Sequence, residues 1–318
     1  MDVRRLAEDL RNFDGLKRKK GIGELTRAMG LTFGEGGVGD DAAVIDTGGD
    51  EVLLFSADSI LQGLVDADPF FAGYSAVLVN VNDIAAMGGT ATAMVNVLSA
   101  KDRETGLEIA KGVWSGSAKF GVPVVGGHFN PEAACNGIAI SIIGRAKKGS
   151  LIRSDAAEPG ENIVVAVDLD GRLHPRYPLA WDSTTGKSSK NVRDNLGILV
   201  ELGRKGLVRS GRDISNPGVI GTIAMLLEGS GCGGAVEVER IPRPDDVEPS
   251  RWLKVYPGFG FVLTVDDAAL GDCLEAFKGR GIEAAAVGRT TGSSKLLITH
   301  GGDEEVVFDF ERDSVFGD

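Results

Sequence analysis

Patterns typical of strands and of helices alternate along almost the whole chain, and this alternation restricts its fold more than any other feature. In the first half, short apolar runs predict strands at residues 42–45, 51–55 and 93–98. Residues 70–87 and 103–120 have the spacing of helices, and glycine follows both segments. Further elements are predicted in this half, as helices at 2–12 and 21–29 and strands at 122–125 and 137–144. Such alternation predicts α/β or α+β layering.

The pattern breaks near residue 150, where residues 153–160 (RSDAAEPG) are polar and rich in turn formers. A buried strand is then predicted at residues 163–167, and the alternation resumes. The later elements are helices at 190–204, 219–228 and 267–279 and strands at 235–238, 259–265, 284–288 and 295–299. Because 318 residues suit about two domains, we predict one domain over residues 1–150 and a second over 151–318.

Charge and cysteine content exclude several classes of protein. The net charge is −12 and no lysine- or arginine-rich arm is evident beyond one short run, so a nucleic-acid partner is not expected. No apolar stretch approaches the roughly 20 residues that cross a bilayer. The three cysteines, Cys135, Cys232 and Cys273, are far apart and odd in number, which argues against a disulfide framework. We therefore expect a cytoplasmic protein without membrane or nucleic-acid partners.

Acidic residues flank two of the predicted strands, one pair before the first strand and one residue after the second. Asp40 and Asp41 come directly after the Gly-rich segment 34–39, and Asp58 follows the apolar strand at residues 51–55. Adjacent carboxylates with a flexible backbone before them suit a hard cation such as Mg²⁺, although a turn also favours an aspartate pair. A carboxylate at the end of a buried strand lies where sites form in α/β proteins, and the alternative for Asp58 is a turn or helix cap.

Two polar residues share one face of the predicted helix at residues 70–87. Asn80 and Asp83 are three residues apart on a face that is otherwise apolar. Buried polar groups without partners cost a few kcal/mol, so these two side chains require partners. A metal–phosphate cluster would supply them, and a buried hydrogen-bonded pair is the alternative.

Two further segments combine polar side chains with glycine. Asp213 and Ser215, in DISNPG, precede a helix, where they either cap the helix or bind a phosphate at its N-terminus. Gly126 and Gly127 are predicted to form a turn whose backbone approaches a ligand closely, with His128 as a catalytic or structural residue.

The last two candidate segments contain basic residues. Residues 17–20 (KRKK) form either a solvated linker or an arm that reaches phosphates. Residues 168–185 (DLDGRLHPRYPLAWDSTT) form either an ordinary surface loop or a substrate-binding loop. In the second interpretation the substrate contacts are Arg172, His174, Arg176 and Trp181.

The order of these motifs resembles the aminoimidazole ribonucleotide synthetase-like (PurM-like) superfamily. The resemblance rests on GDDAAVI, SADS, NVNDIAAMGG, VVGGH, RSDAAEPGE and DISNPG, and it extends from about residue 20 to about residue 290. The segments VPVVGGH, DLDGRLHP, IPRP and YPGFGFVLT further resemble the archaeal methanogenesis marker protein 2 type. The superfamily includes thiamine-monophosphate kinase and selenophosphate synthetase.

The resemblance implies a fold, an assembly and a nucleotide site. The N-terminal mixed-sheet domain is expected to form a barrel with the same domain of a second copy, and the C-terminal α/β domain to pack beside it. ATP and Mg²⁺ are the implied cofactors. The implied metal ligands are Asp41, Asp58, Asp83 and Asp213, and the candidate nucleotide contacts are Gly39, Asn80, Gly126, Gly127, Arg153 and Ser215. His128 and Asp40 are the candidates for proton transfer or phosphate positioning.

Departures from the known members leave the substrate open. The segment after Asp58 is ILQGLVDADP, without the histidine typical of thiamine-monophosphate kinases. The first cysteine is Cys135, so the nucleophile of selenophosphate synthetases is absent from the Gly-rich region. Two hypotheses follow. The first is an enzyme that phosphorylates or activates a small molecule with ATP, and the second is a non-catalytic nucleotide-binding assembly or regulatory protein.

Overall fold

The computed structural model describes residues 2–32 and 38–317 of the 318-residue chain. Residues 34–37 of the predicted Gly-rich loop lie outside these ranges. Within them, no helix is both long and apolar enough to cross a membrane.

Three helices open the chain and pack against its second half: α1 (Val3–Arg11), α2 (Asp14–Lys17) and α3 (Ile22–Ala28). In α1, Asp2 caps the N-terminus by accepting a hydrogen bond from the Arg5 N–H at 3.1 Å. The buried positions Val3, Leu6, Ala7 and Leu10 follow the spacing of one helix face, which joins the core of the C-terminal half.

Five strands form the N-terminal sheet in the order β1-β2-β5-β3-β4. Their bounds are β1 (Ala43–Asp46), β2 (Glu51–Ser59), β3 (Thr90–Ser99), β4 (Val124–Asn130) and β5 (Gly137–Lys147). Only β3 and β4 pair in parallel, so the sheet is mixed, as predicted.

Helices cover one face of the N-terminal sheet: α4 (Gln62–Ala67), α5 (Pro69–Ala86) and α6 (Arg103–Phe120). Helix α5 is buried along nearly its whole length because the sheet lies on one side of it and α6 on the other. Glycine allows this close crossing. A Cβ atom at Gly73 would lie 2.1 Å from the Ile109 carbonyl oxygen, and one at Gly112 would lie 2.0 Å from that of Phe70.

The other face of the N-terminal sheet is open and apolar. Its large side chains are between 38% and 52% exposed, and they are Ile45, Phe55, Val95, Val97 and Ile143. They are adjacent across the strands, since Phe55 pairs with Ile143. A continuous exposed apolar face of this kind marks an interaction surface.

Seven strands form the C-terminal sheet in the order β15-β14-β10-β13-β6-β12-β9. Their bounds are β6 (Asn162–Val167), β9 (Ser210–Asp213), β10 (Gly233–Glu237), β12 (Gly260–Val265), β13 (Glu283–Thr291), β14 (Lys295–His300) and β15 (Asp303–Asp309). The central strands β6 and β12 are buried at every residue because helices cover both faces. Helices α1 and α8 (Gly218–Gly229) cover one face, and α7 (Ser189–Arg204) and α10 (Asp267–Lys278) cover the other.

A small third sheet joins β7 (Arg172–Leu173), β8 (Ala180–Asp182) and β11 (Tyr256–Pro257), and the short helix α9 (Pro249–Trp252) precedes β11. The predicted α/β (α+β) class is confirmed, and most predicted helices and strands lie within a few residues of the observed ones. The N-terminal sheet ends at Lys147 and the C-terminal sheet begins at Asn162, while the boundary near residue 150 stays a prediction.

The predicted turn at residues 126–128 is wrong, because these residues lie inside strand β4. Gly127 is nevertheless needed there for a close backbone approach. A Cβ atom at Gly127 would lie 1.8 Å from the Asn96 Oδ1 and 2.6 Å from the Asn96 carbonyl oxygen. The glycine therefore serves packing between β3 and β4.

Candidate functional site

Strand β2 and helix α5 bring three of the predicted residues together. Asp83 is buried beneath the sheet, and its Oδ2 accepts a 2.7 Å hydrogen bond from the Ser56 hydroxyl. Asn80 is fully buried and donates through its amide to the Ala76 carbonyl at 2.8 Å. Its Oδ1 accepts from the Asp58 N–H at 3.2 Å, so Asn80 fixes the end of β2 that carries Asp58.

The Asp40–Asp41 pair joins this region to the C-terminal half. The Asp41 carboxylate accepts the Asp213 N–H at 3.0 Å and forms an ion pair with the Arg212 guanidinium at 2.8 Å. Arg212 also donates to the Gly39 carbonyl at 2.6 Å. Asp40 accepts from the Ser154 N–H at 3.1 Å. The end of the Gly-rich segment is thus held against β9 and the residues that precede β6.

Burial and mutual repulsion perturb these carboxyl groups. Burial raises the pKa of Asp83 well above its usual value, and the charges of Asp213, Asp58 and Asp41 raise it further. Burial, followed by the charge of Asp41, raises the pKa of Asp213 in the same direction. Burial and the Asp41 charge raise the pKa of Asp40 to about 6. We call these five aspartates, Asp40, Asp41, Asp58, Asp83 and Asp213, the acidic cluster.

Two cations lie among the carboxylates of the acidic cluster. Burial lowers the pKa of Lys19, as does the neighbouring Arg212, while Asp58, Asp213 and Asp41 oppose that shift. Arg212 is buried, and its Nε has no hydrogen-bond partner among the described residues.

A third cation, Arg153, also acts on Asp40 but is already paired with Asp155. Carboxylates therefore outnumber cations by three when all are ionised, whether or not this pair is counted.

A hard cation fits this donor set. Carboxylate oxygens are the ligands that Mg²⁺ prefers, and the excess negative charge favours one or more divalent ions. Among the described residues, no three histidine, cysteine or acidic side chains are already arranged around a common metal position. Asp41 is instead engaged by Arg212, and Asp83 by Ser56. The predicted ligands Asp41, Asp58, Asp83 and Asp213 thus share one neighbourhood without forming a preset coordination shell.

Two cavities adjoin the acidic cluster on different sides. The first, of about 270 Å³, is named the Arg153 cavity here and is lined by Val38, Gly39, Asp40, Arg153, Ser154, Asp155, Glu228, Gly229, Ser314, Phe316 and Gly317. The second, of about 60 Å³, is named the Asn82 cavity and is lined by Asp58, Ser59, Ile60, Leu61, Leu64, Ser75, Val79, Asn82, Asp213, Ile214, Ser215, Asn216 and Tyr256. The cluster therefore separates two places where small molecules could bind.

Three predicted nucleotide contacts lie on these cavities. Gly39 and Arg153 line the Arg153 cavity, and Ser215 lines the Asn82 cavity. Arg153 is partly buried and forms a bidentate ion pair with Asp155 at 2.7 and 2.6 Å. Ser215 does not cap α8, because the capping position is Pro217 and no side chain caps there.

The structure does not bring residues 126–128 to the acidic cluster. Asp58 and Gly127 belong to one cross-strand row but are three strand spacings apart, or about 14 Å. His128 pairs with Val97, so it shares the open face of the sheet, whereas Asp58 faces α5. Within one chain, His128 is therefore remote from the carboxylates.

The predicted substrate residues have structural partners. His174 is buried, stacks on Phe71 at 4.5 Å and contacts Asp68 at 3.2 Å. Arg176 forms an ion pair with the same Asp68. Trp181 is buried in the C-terminal core and donates from Nε1 to the Asp168 carbonyl at 2.9 Å.

Arg172 differs from these three because its side chain is exposed, with only a 3.8 Å contact to Asp182. The structure thus places His174, Arg176 and Trp181 in contacts that hold the segment to the rest of the protein. None of the four residues lines the Arg153 cavity or the Asn82 cavity.

Three residues of the site were not singled out from the sequence. Arg212 and Asn82 were missed, and Lys19 was considered only as part of a basic run. The signal for Arg212 is its position next to Asp213, because a buried aspartate requires a nearby cation. Asn82 lies inside NVND, between two residues that were predicted, and its neighbour Asp83 is its only local signal.

Comparisons with known proteins agree with this architecture. Residues 39–146 match the family described as AIR synthase related protein, N-terminal domain, and residues 185–301 match the corresponding C-terminal domain. An uncharacterized protein of Methanocaldococcus jannaschii is 43% identical over the full length of both chains. An uncharacterized protein of Synechocystis is 34% identical and covers 88% of this chain and 86% of its own.

Solved structures of the same fold include complexes with nucleotides. PurL of Thermotoga maritima complexed with ATP has a TM-score of 0.72 at 20% identity, over 84% of this chain. This chain spans 45% of that protein. AaThiL complexed with AMPPCP and TMP has a TM-score of 0.68 at 15% identity, over 90% of this chain and 96% of its own. From the two matched domains and the full-length relative, the chain belongs to the AIR synthase related (PurM-like) family.

Proposed function

We propose that this protein binds ATP with Mg²⁺ at the acidic cluster and transfers the terminal phosphoryl group to a small molecule. The observation that carries the proposal is the position of the cluster between two cavities, with carboxylates in excess of the cations around them. An acidic site repels a bare triphosphate, so a nucleotide binds there only with divalent cations. The ATP complex of Thermotoga maritima PurL, which shares the fold, supports the same class of ligand.

The metal would be held by Asp41, Asp58, Asp83 and Asp213, and Mg²⁺ in this position neutralises charge on the phosphates. Asn80 acts indirectly, because its Oδ1 fixes the backbone that carries Asp58. These four carboxylates repel one another in the absence of metal, so binding of cations relieves their repulsion.

The nucleotide would occupy the Arg153 cavity, which is the larger of the two. Arg153 supplies a guanidinium for the phosphates or ribose, and the Gly39 backbone permits close approach. Asp40 lies on the wall of the same cavity. Because its pKa is raised to about 6, Asp40 can exchange a proton near neutral pH.

The acceptor would occupy the Asn82 cavity. An oxygen or nitrogen of the acceptor forms a bond to the γ-phosphorus while the bond between that phosphorus and the β,γ-bridging oxygen breaks. ADP leaves with the electron pair of that bond, and the acceptor proton passes to a carboxylate of the acidic cluster. Direct phosphoryl transfer relies on positioning of the reactants and on electrostatic stabilisation of the transition state more than on covalent catalysis by the protein.

We further propose that the protein forms a homodimer through the open face of the N-terminal sheet. Five large apolar side chains are half exposed there, and a monomer in water gains no stability from them. His128 lies on this face, so a catalytic role for His128 would place it at the dimer interface.

Single-turnover phosphoryl transfer tests the proposed reaction. Excess protein is mixed with γ-labelled ATP, Mg²⁺ and fractionated small molecules, and label is followed into a new product. Asp213→Asn, which removes one charge from the cluster, is expected to abolish transfer, while Asp66→Asn on the exposed surface leaves it intact. Tight Mg²⁺–ATP binding without transfer from any fraction would instead favour the non-catalytic alternative.

A further inference from the structure

The walls of the Asn82 cavity combine two kinds of chemistry. Apolar side chains, including Ile60, Leu64 and Ile214, form one part of the wall. The polar part consists of carboxylates, hydroxyls and amides: Asp58, Asp213, Ser75, Ser215, Asn82 and Asn216. No lysine, arginine or histidine lines this cavity in the part of the chain that the structure describes.

Asn82 supplies the decisive observation. Its side chain is 3% exposed, and its amide donates to the Gly258 carbonyl at 3.2 Å. That hydrogen bond fixes the amide orientation, because the flipped amide would place two oxygens against each other. The Asn82 Oδ1 is consequently a buried acceptor, and it has no hydrogen-bond partner within residues 2–32 and 38–317. A buried acceptor without a partner is unfavourable, and a bound donor would satisfy it.

Asn216 provides a second acceptor on the same cavity. Its Oδ1 is buried and also lacks a hydrogen-bond partner in the part of the chain that the structure describes. The loop that carries it is fixed, since a Cβ atom at Gly15 would lie only 2.2 Å from the Asn216 carbonyl oxygen. A Cβ atom at Gly218 would likewise lie 2.2 Å from the Leu253 carbonyl oxygen. The loop is therefore packed against α2 on one side and against the end of α9 on the other.

Three cations act on residues of the cavity without lining it. Lys19 faces Asp58, Asp213 and Asp41, so carboxylates already compensate its charge. Arg212 acts on Asp213 but is paired with Asp41. Arg18 is exposed and acts on Tyr256. None of the three lines the cavity, whose described walls offer hydrogen-bond acceptors.

Resting on the proposed function, we propose that the phosphoryl acceptor inserts a compact hydrogen-bond donor, an amide, amine or hydroxyl group, into the Asn82 cavity. A carboxylate or phosphate is disfavoured in that cavity, because the two unpaired amide oxygens offer it no hydrogen-bond donor and would repel its oxygens. The volume of about 60 Å³ admits only a small group. A cavity that holds benzene measures about 150 Å³.

Three small probes test this assignment: acetamide, ethylamine and acetate. Each is titrated into protein with ¹³C-labelled methyl groups, with and without Mg²⁺–ATP, and the resonances of Ile60, Leu64 and Ile214 are followed. The amide and the amine are expected to shift these resonances with an affinity at least about tenfold above that of the carboxylate.

Variants assign the binding to the cavity. Val79→Phe fills the space and is expected to abolish the shifts, and Asn216→Ala removes one acceptor and weakens binding several-fold. Asn12→Ala, at an exposed asparagine on the end of α1, is the matched control and leaves the titrations unchanged. Because Asn216 Oδ1 has no partner to lose, its truncation leaves the fold intact and keeps the test valid should Val79→Phe not fold.

The outcomes separate this inference from the proposed function. Equal or tighter binding of acetate, or no methyl shift with any probe, overturns the assignment of the cavity. Absence of Mg²⁺–ATP binding by calorimetry overturns the proposed function instead. The titrations without nucleotide still report on the Asn82 cavity in that case.

Discussion

Asp83 shows at the residue scale how a ligand-binding position conflicts with stability. The side chain is buried and accepts one hydrogen bond, from Ser56. Burial, followed by the charges of Asp213 and Asp58, raises its pKa, so the ionised form is disfavoured in the folded protein. A buried carboxyl group whose charge opposes folding is typical of binding sites.

Asp83→Asn separates these two contributions. The substitution keeps the shape and the acceptor for Ser56 but removes one charge, so the metal-free protein should melt higher, by roughly 1–2 °C per kcal/mol gained. Binding of Mg²⁺–ATP should weaken about tenfold or more, or about 1.4 kcal/mol. Thermal melts and calorimetry measure the two effects, and Asp66→Asn is the exposed control. A destabilised variant with intact nucleotide binding would refute the assignment.

Asp40 predicts a dependence of stability on pH. Its pKa is about 6 in the folded protein against 3.8 in the unfolded chain, so the folded state holds more protons between these values. Its contribution to the free energy of unfolding is therefore largest at low pH and is lost as pH rises through about 6. The Asp40→Asn variant lacks this pH-dependent contribution to the free energy of unfolding. The free energy of unfolding of the variant minus that of the wild type should increase from about pH 4.5 to pH 7 in urea titrations. A difference that is constant with pH would contradict this prediction.

At the scale of elements, the start of α5 connects the two halves of the molecule. Asp68 caps α5 by accepting a hydrogen bond from the Phe71 N–H at 3.0 Å. The same carboxylate contacts the His174 ring and forms an ion pair with Arg176, both from the C-terminal half. Asp102 caps α6 in a comparable way, but its hydrogen bonds go to the neighbouring residues Thr105 and Glu104. The two caps thus differ mainly in their long-range partners.

Alanine substitution of both caps measures that difference. Asp102→Ala should cost about 0.5–2 kcal/mol, the usual value of an N-cap. Asp68→Ala should cost at least about 1 kcal/mol more, because it leaves the buried His174 without a partner. Urea unfolding of both variants provides the comparison, and equal costs would show that the contact between Asp68 and His174 contributes nothing.

Local patterns predicted the elements more reliably than the site. Helix α5 was predicted at residues 70–87 and lies at Pro69–Ala86, because apolar spacing and the following glycines are local signals. Strand β4 was misread as a turn at residues 126–128, since paired glycines usually mark turns. Here Gly127 is required by Asn96 on a neighbouring strand, a contact that the sequence does not reveal.

The acidic residues were predicted from their positions at strand ends, whereas their cationic partners were not. Arg212 contacts Gly39 and Asp41, from which it is separated by about 170 residues of sequence. His174 is likewise more than 100 residues from its partner Asp68, and Trp181 packs against the distant Trp252. A polar segment in the sequence therefore predicted a substrate loop where the structure shows packing contacts.

For the whole molecule, the open face of the N-terminal sheet predicts a dimer. Phe55→Glu places a charge at the centre of the apolar face, next to Ile143, and should convert the dimer to a monomer at micromolar concentration. Trp114→Glu is the control, because Trp114 is 73% exposed on the outer side of α6. Light scattering distinguishes the species, and a monomeric wild type would contradict the proposed interface.

The dependence of nucleotide binding on divalent cations tests the central claim most directly. The acidic cluster has an excess of three negative charges when ionised, so a triphosphate without metal is repelled. Isothermal titration of ATP into the wild-type protein, with Mg²⁺ and then with excess chelator, measures this dependence. The proposed site predicts binding with Mg²⁺ and a loss of at least about 100-fold, or about 2.7 kcal/mol, in chelator. Equal affinity under both conditions would contradict it.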